Sequence, residues 1–588
     1  MKSKYLIPCS IIALSLVVAA CKKGFLDKPP LGTLNPTILA TQKGVEGILI
    51  GAYSIVDGEG ASGDGFASAA SNWTYGGVAS DDAYKGSDPS DVNDVAPFEQ
   101  FNTLTSTNGA VPQKWNVNYA GIQRANDVLK TMKTATDIST ANQATIAGQA
   151  RFLRAHFHME LKKVFNNIVY ADETVSPENT AVDNFTDVWP KIEADLVFAI
   201  ANLPETWSEA GRANKSAAKA MLAKAYMFQK KFAVAYPILK DLIANGKTAK
   251  GEKYALMPNY FSNFNPAQKN SSESVFAAQT SVGDKSSVDW GGSPNGNYGD
   301  ILNFPYNGGP GGCCGFYNPS QDLANAYKTD AAGLPLLDTW FQGNNVSVTT
   351  GAYTGTMDPR VDWAIGRPGI PYMDWGPHPG LDWIRNPINN GTFSPKKNTY
   401  PKSQRSFTDV GSSYWGPTQL VANNVNLIRY ADVILWAAEC AADANELTQA
   451  MTFVNMIRSR AANPTGWVYK NSDYNAAVAM YATQTTPADN YKIGLYTAFP
   501  TKDFAVKAIQ FERRLELAME GHRFFDLVRY GTAAPVINAY IAREKVNRPL
   551  KANAVFTAGK NEYFPIPQST IDNVNSDGKV RIKQNPGY

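Results

Sequence analysis

The chain has 588 residues, a formal net charge of +3 and only 18% charged residues. That length can bury a large core in more than one lobe, and the near-neutral balance argues against a nucleic-acid partner, which would require a basic patch. Glycine (46), proline (35) and aromatic residues (11%) are plentiful, so the chain reads as loop-rich, with a surface suited to stacking on neutral ligands.

Residues 1–20 read as a bacterial lipoprotein signal. Lys2 and Lys4 make a basic start, an apolar run follows from Tyr5 to Ala20, and Val18-Ala19-Ala20 puts small residues directly before Cys21. Signal peptidases need small side chains there, and the cysteine thiol is the group that is lipidated. The run is too short for a spanning helix, which needs about 20 apolar residues. The alternative is an ordinary secretory signal whose cleavage site abuts a cysteine. On the lipoprotein reading the mature chain begins at Cys21 and hangs from a membrane by acyl chains. Residues 21–36, with Pro29, Pro30 and Pro36, form an extended tether.

Residues 37–245 read as a helical region with an early loop. Thr41 to Tyr53 places Val45, Ile48, Leu49 and Ala52 on one helical face. Residues 57–110 are rich in Gly, Ser and Asp and read as loop. Helical period returns at Trp115–Met132, Ala144–Phe165 and Trp189–Ala201. Ser216–Gln229 and Phe232–Ala244, split by a tight Lys230-Lys231 turn, resemble a tetratricopeptide-type hairpin. Its small residues Ala217, Ala220, Ala223 and Ala225 would let helices approach closely.

Residues 246–415 break this pattern with Gly, Pro, Asn and aromatics. Long irregular insertions in compact domains are uncommon and usually functional. Residues 416–588 return to helix at Asn426–Ala442, Glu446–Ala461 and Asp503–Val528, then end in an extended, turn-rich segment, Tyr563–Tyr588. Cys440 sits in an apolar helical run. Cys313 and Cys314 are adjacent, flanked by Gly311, Gly312 and Gly315, and either form a vicinal disulfide or remain two free thiols. Metal-type Cys/His spacing is absent from the sequence, and nothing in it points to a cofactor.

Several segments carry a resemblance. Ile509 to Gly531 reads IQFERRLELAMEGHRFFDLVRYG, and Asn426 to Ala441 reads NLIRYADVILWAAECA. With Ala150–Phe165, Lys215–Tyr226, Phe25-Leu26-Asp27, Tyr563–Pro567 and the ending Gln584–Tyr588, they resemble, in shared order, the SusD/RagB family of outer-membrane nutrient-binding lipoproteins. The resemblance implies a mainly α fold: a tetratricopeptide-like scaffold of about four helix pairs carrying a long, loop-rich ligand-binding insertion. It implies a non-enzymatic protein that captures oligosaccharide and passes it to a SusC-like TonB-dependent transporter. It also implies attachment to the outer membrane, facing outward. One departure is that Lys22-Lys23-Gly24 follows the lipid cysteine and Asp27 is the first acid, so outward exposure rests on the family. A peptide-binding relative and, from another class, a secreted glycoside hydrolase are the alternatives.

In Ile509–Gly531 the carboxylates Glu512, Glu516 and Glu520 recur at i, i+4 and i+8. They repel unless cations intervene, and Arg513, Arg523 and Arg529 are at hand; Gly521 suggests a helix stop or kink. The sugar-binding candidates are aromatic. Sugars present apolar C–H faces with polar rims, which suits flat rings beside amides and carboxylates. The middle loops hold Trp290, Tyr298, Phe304, Tyr306, Phe316, Tyr317, Trp340, Trp363, Tyr372, Trp375 and Trp383, with Asp300 and Arg385 nearby. The early loop adds Trp73, Tyr75, Asp81 and Asp82. The chosen contact set is Trp73, Tyr75, Asp81, Asp82, Trp290, Tyr298, Tyr317, Trp340, Trp363 and Trp375. The competing reading for each ring is that it packs a loop onto the helical body.

Overall fold

The computed structural model describes residues 39–60, 65–175, 182–284, 295–347, 352–409 and 419–588. Cys21, the signal segment, the tether and Trp290 lie outside the described residues.

Eight helices pack in series, each against the next: α1 (Gln42–Ser54), α2 (Val111–Met132), α3 (Thr140–Phe165), α4 (Trp189–Asn202), α5 (Lys215–Phe228), α6 (Phe232–Asn245), α7 (Tyr430–Asp443) and α8 (Leu447–Ala462). Eight in line are four consecutive pairs, a tetratricopeptide-like scaffold. The series crosses the insertion without a break, because α7 lies on α6 although more than 180 residues separate them. The local reasons are visible. Thr41 caps α1 by accepting from the Gly44 amide, and Asn214 caps α5 by accepting from Ala217. Ala217, Ala220 and Ala223 of α5 are fully enclosed, so α4 and α6 can come close. Lys230 takes a left-handed turn (φ +57°) between α5 and α6.

Some elements differ from the sequence reading. Asp503–Val528 is not one helix. It divides into α9 (Lys502–Glu516) and α10 (Arg523–Tyr530), joined by a turn in which Met519 and Gly521 have φ +63° and +71°. A further helix, α11 (Ala533–Glu544), follows, and a short one, Gln568–Val574, interrupts the C-terminal segment expected to be extended. The early loop lies inside the fold: nearly every residue from Gly65 to Ser87 is buried. Glycine makes that possible. A Cβ on Gly76 would sit 1.8 Å from the Gly521 carbonyl oxygen, so the early loop and the α9–α10 turn touch backbone to backbone.

The described residues between α6 and α7 hold only short elements. A strand at Ser274–Ala278 pairs antiparallel with Val425–Arg429, which leads directly into α7. The insertion is bolted down by a buried ion cluster. Glu512, Glu516 and Glu520 draw their cations not from Arg513, Arg523 or Arg529 but from Arg458 (2.7 Å to Glu512), Arg360 (3.0 Å to Glu516), Arg429 (2.9 Å to Glu520), Lys397 (2.7 Å to Glu520) and Arg460. Glu273 joins through Arg429 and Asp358 through Arg360. Five carboxylates thus meet five cations in the protein interior. Burial pushes the Glu516 carboxyl up, but Arg460, Arg429 and Arg360 outweigh it and hold it well below the usual carboxylate range. Arg360 and Lys397 belong to the insertion, so the cluster joins it to α9.

Candidate ligand-binding site

The chosen sequence candidates mostly pack the body. Trp73 and Tyr75 are fully enclosed. The Trp73 indole donates to the Gly299 carbonyl (3.1 Å), and the Tyr75 hydroxyl donates to the Ala110 carbonyl (3.3 Å) while its ring meets Phe98 and Phe564 edge-on. Trp363 is 1% exposed, stacks on Phe261 and donates to Gly466 (2.7 Å). Such rings leave no face for a ligand. Their burial follows from a large apolar body whose single polar atom is satisfied by a nearby carbonyl.

Asp81 and Asp82 are likewise interior. Asp81 pairs with Arg523 (2.7 Å) and Arg514 (3.1 Å), and Asp82 with Arg514 (2.9 Å). Burial raises the Asp81 carboxyl, but the two guanidiniums prevail and hold it below the ordinary range. These acids anchor the early loop to the α9–α10 region. Tyr298 is half-buried and stacks on Phe66 at 5.6 Å. Trp340 is half-buried beside Phe341 and Phe511, its indole donating to Asp322 (3.1 Å). Tyr317 is buried, with an unusual positive φ of +57°.

A different set of side chains converges at the surface. The segment from Ala83 to Ser87 runs antiparallel to Gly315–Pro319: the Tyr84 amide donates to the Asn318 carbonyl, Tyr317 to Lys85 and Ser87 to Gly315. Lys85 is the internal clamp. Its ammonium donates to the carbonyls of Asp88 (2.8 Å) and Asp91 and sits 5.0 Å from the Phe316 ring. Burial pulls its pKa down to about 8 against the pull of Glu99, Asp91 and Asp88.

The clamped turn presents Asp88 and Asp91 to Arg385, at 2.7 and 2.8 Å. The Arg385 guanidinium lies 5.7 Å from the ring of Tyr306, which is 36% exposed. Tyr306 is fixed from below, since its amide donates to the Trp383 carbonyl (2.9 Å). Gly315, whose Cβ position would fall 3.0 Å from the Tyr306 Cβ, follows Cys313 and Cys314, which are joined by a disulfide (S–S 2.11 Å) with Cys313 half-buried and Gly312 exposed. The Gln419 amide reaches the Cys314 sulfur (3.4 Å), and the Gly311 amide donates to the Tyr400 hydroxyl (3.2 Å). The Tyr400 carbonyl in turn accepts from the indole of half-buried Trp375 (2.8 Å).

The result is a shallow face with one exposed phenol, a rigid disulfide, and a fixed cation between two carboxylates. It can stack on an apolar ring face and bond hydroxyls around the rim. Of the chosen candidates among the described residues, Tyr317 lends its backbone to the ladder and Trp375 reaches it through Tyr400 and Gly311. Tyr306 and Arg385 stand in the wider sequence set, but Asp88 and Asp91 do not; their one signal is the turn-rich Gly86-Ser87-Asp88-Pro89-Ser90-Asp91. Among the described residues no cluster of three or more His, Cys, Asp or Glu is placed to hold a metal, and no helix is long and apolar enough to cross a membrane.

Comparison with known proteins places this geometry in a family. The family model described as "SusD family" matches residues 272–588, and one described as "Starch-binding associating with outer membrane" matches residues 25–227. A SusD-like protein of Formosa agariphila is 23% identical over 541 residues, covering 87% of this chain and 88% of that protein. Among solved structures, a laminarin-binding SusD-like protein superposes with a TM-score of 0.64 at 22% identity, over 93% of this chain and all of the other. Surface glycan-binding protein A of Bacteroides thetaiotaomicron, in complex with laminarihexaose, gives 0.63 at 20% identity, over 93% and 99%. The chain belongs to the SusD family.

Proposed function

We propose that this chain is a non-enzymatic glycan-binding lipoprotein of the outer membrane, lipidated at Cys21 and facing outward. It captures oligosaccharide on the Tyr306 face and passes it to a SusC-like TonB-dependent transporter. The observation that carries the reading is the exposed Tyr306 ring beside the Arg385 guanidinium, which Asp88 and Asp91 hold in place. An aromatic platform beside fixed polar groups suits a sugar ring. Family members are glycan-binding proteins, not enzymes, and two solved neighbours carry laminarin or laminarihexaose in their names. Laminarin is therefore the first probe.

The carboxylates of the face support binding over hydrolysis, because both Asp88 and Asp91 are engaged by Arg385. Glycosidases need two carboxyls about 5–9 Å apart and free to act as acid and base or nucleophile. Affinity electrophoresis against laminarin and a panel of plant, fungal and host polysaccharides tests the reading. Retardation by at least one glycan, relieved by Tyr306→Ala, is expected. Migration unaffected by every glycan would remove its basis.

A further inference from the structure

A second recess lies where the insertion meets the helical body. It encloses about 50 Å³ of space open to water-sized groups, and the one residue it has in common with the Tyr306 face is Tyr317, whose backbone pairs with Lys85 there. Its wall is rich in carboxamides: Asn297, Asn398, Asn423, Asn424 and Asn426 come from three separate segments of the chain. Asp300 lies among them, 4% exposed, and accepts only from neutral donors: Ser71 (2.6 Å), Asn297 (2.9 Å) and Asn303 (2.9 Å). The two other charges in the wall, Lys397 and Glu520, neutralise each other at 2.7 Å.

Two further observations mark the recess as more than a packing gap. Asn423 is 4% exposed, and its Oδ1 has no hydrogen-bond partner, which leaves an unfavourable orphan acceptor. Tyr317 and Met519, both in the wall, hold left-handed backbones at φ +57° and +63°, a conformation that bulky residues adopt at a cost and that concentrates at ligand sites.

We infer that this recess binds the edge of one neutral, hydroxyl-rich sugar ring. An anion would meet Asp300 and Glu520, and a divalent cation would meet the Lys397 ammonium. A polyol instead matches a wall that mixes amide donors, amide acceptors and a carboxylate. Phe264, Tyr317 and Met519 supply apolar surface for its C–H face. The recess would then read a single sugar unit, separately from the longer chain engaged at Tyr306.

Saturation-transfer NMR of the full chain with D-glucose, D-galactose, D-mannose, N-acetyl-D-glucosamine and D-glucuronate tests this, alongside Asp300→Asn, Asn398→Ala and Tyr306→Ala. Asn398 is half-buried at the rim, so its variant keeps the test open if Asp300→Asn fails to fold. The expected result is transfer to at least one neutral sugar, weakened at least fivefold in whichever recess variants fold and unchanged in Tyr306→Ala. Three outcomes overturn the inference: no transfer to any sugar, transfer to glucuronate alone, or a signal lost in Tyr306→Ala and kept in Asn398→Ala. Polysaccharide retardation is scored on the same variants. Failure of the recess therefore leaves the Tyr306 reading standing, and the reverse.

Discussion

Glu516→Gln is the sharpest probe of the structural account. Glu516 is 0% exposed and is shared by Arg360 (3.0 Å), Arg429 (2.5 Å) and Arg460. Glutamine fills the same volume, but it removes the charge that the three guanidiniums share and turns one acceptor oxygen into a donor facing them. Removing one partner of a buried ion pair costs about 3–5 kcal/mol, because the remaining charges stay buried without compensation. Unfolding entropy near 2.1 cal/mol/K per residue gives roughly 1.2 kcal/mol per kelvin for a chain of this size, so Tm should fall by about 3–4 °C. Scanning calorimetry at pH 7 reads that shift. Limited proteolysis should show the insertion loosening first, since Arg360 ties it to α9. A Tm within 1 °C of wild type would refute the claim that the cluster fastens the insertion.

Acid should attack the same contacts. The carboxyls of Asp81, Glu516 and Glu520 are held below the usual range and that of Asp526 at about 2, in each case by cations that outweigh the effect of burial. Depressed acids contribute stability that is present above their unfolded pKa, about 4, and is lost as pH falls towards the folded values. Urea midpoints should therefore hold from pH 7 to about 5 and drop steeply towards 3; a flat profile contradicts the assignment. Glu59 behaves oppositely. Burial and then the neighbouring Asp57 push it up to about 9, so the folded chain gains protons relative to the unfolded one and loses stability as pH rises from about 4.5 towards 9. The Tm advantage of Glu59→Gln over wild type should grow between pH 5 and 8.5, and an advantage independent of pH would argue against it. Intact mass after alkylation without reductant should show no label at Cys313 or Cys314; two labels there would remove the disulfide from the binding face.

The helical series was legible because its apolar periods are long and its caps local: Thr41, Asn214 and the alanine stripe of α5 can each be read within a few residues. The early loop was not. Gly, Ser and Asp composition signals exposure, yet Gly65–Ser87 is buried because Gly76 meets Gly521, 445 positions away. The same range problem governs charge. Helical spacing offers Glu512 and Glu516 only their neighbours Arg513, Arg523 and Arg529, whereas the fold brings Arg360, Arg429, Arg458 and Arg460 from other elements. Arg513 serves Asp432 and Asp526 instead. Among the aromatics, sequence named both Trp73 and Tyr306 but put Trp73 in the chosen set and left out Tyr306, although Trp73 is enclosed and Tyr306 keeps a face to solvent. Ring identity says what a side chain can do, and only packing decides which rings keep a face to solvent.

Calorimetry with the polysaccharide that retards the wild type most, on Tyr306→Ala, Arg385→Ala and Trp340→Ala, tests the central claim most directly. Trp340, with Phe341 and Arg543, is another described place where loop aromatics reach the surface beside a cation. The account predicts at least a tenfold loss of affinity for Tyr306→Ala and Arg385→Ala with Tm unchanged, and wild-type binding for Trp340→Ala. Wild-type affinity in both face variants, or loss confined to Trp340→Ala, would contradict it.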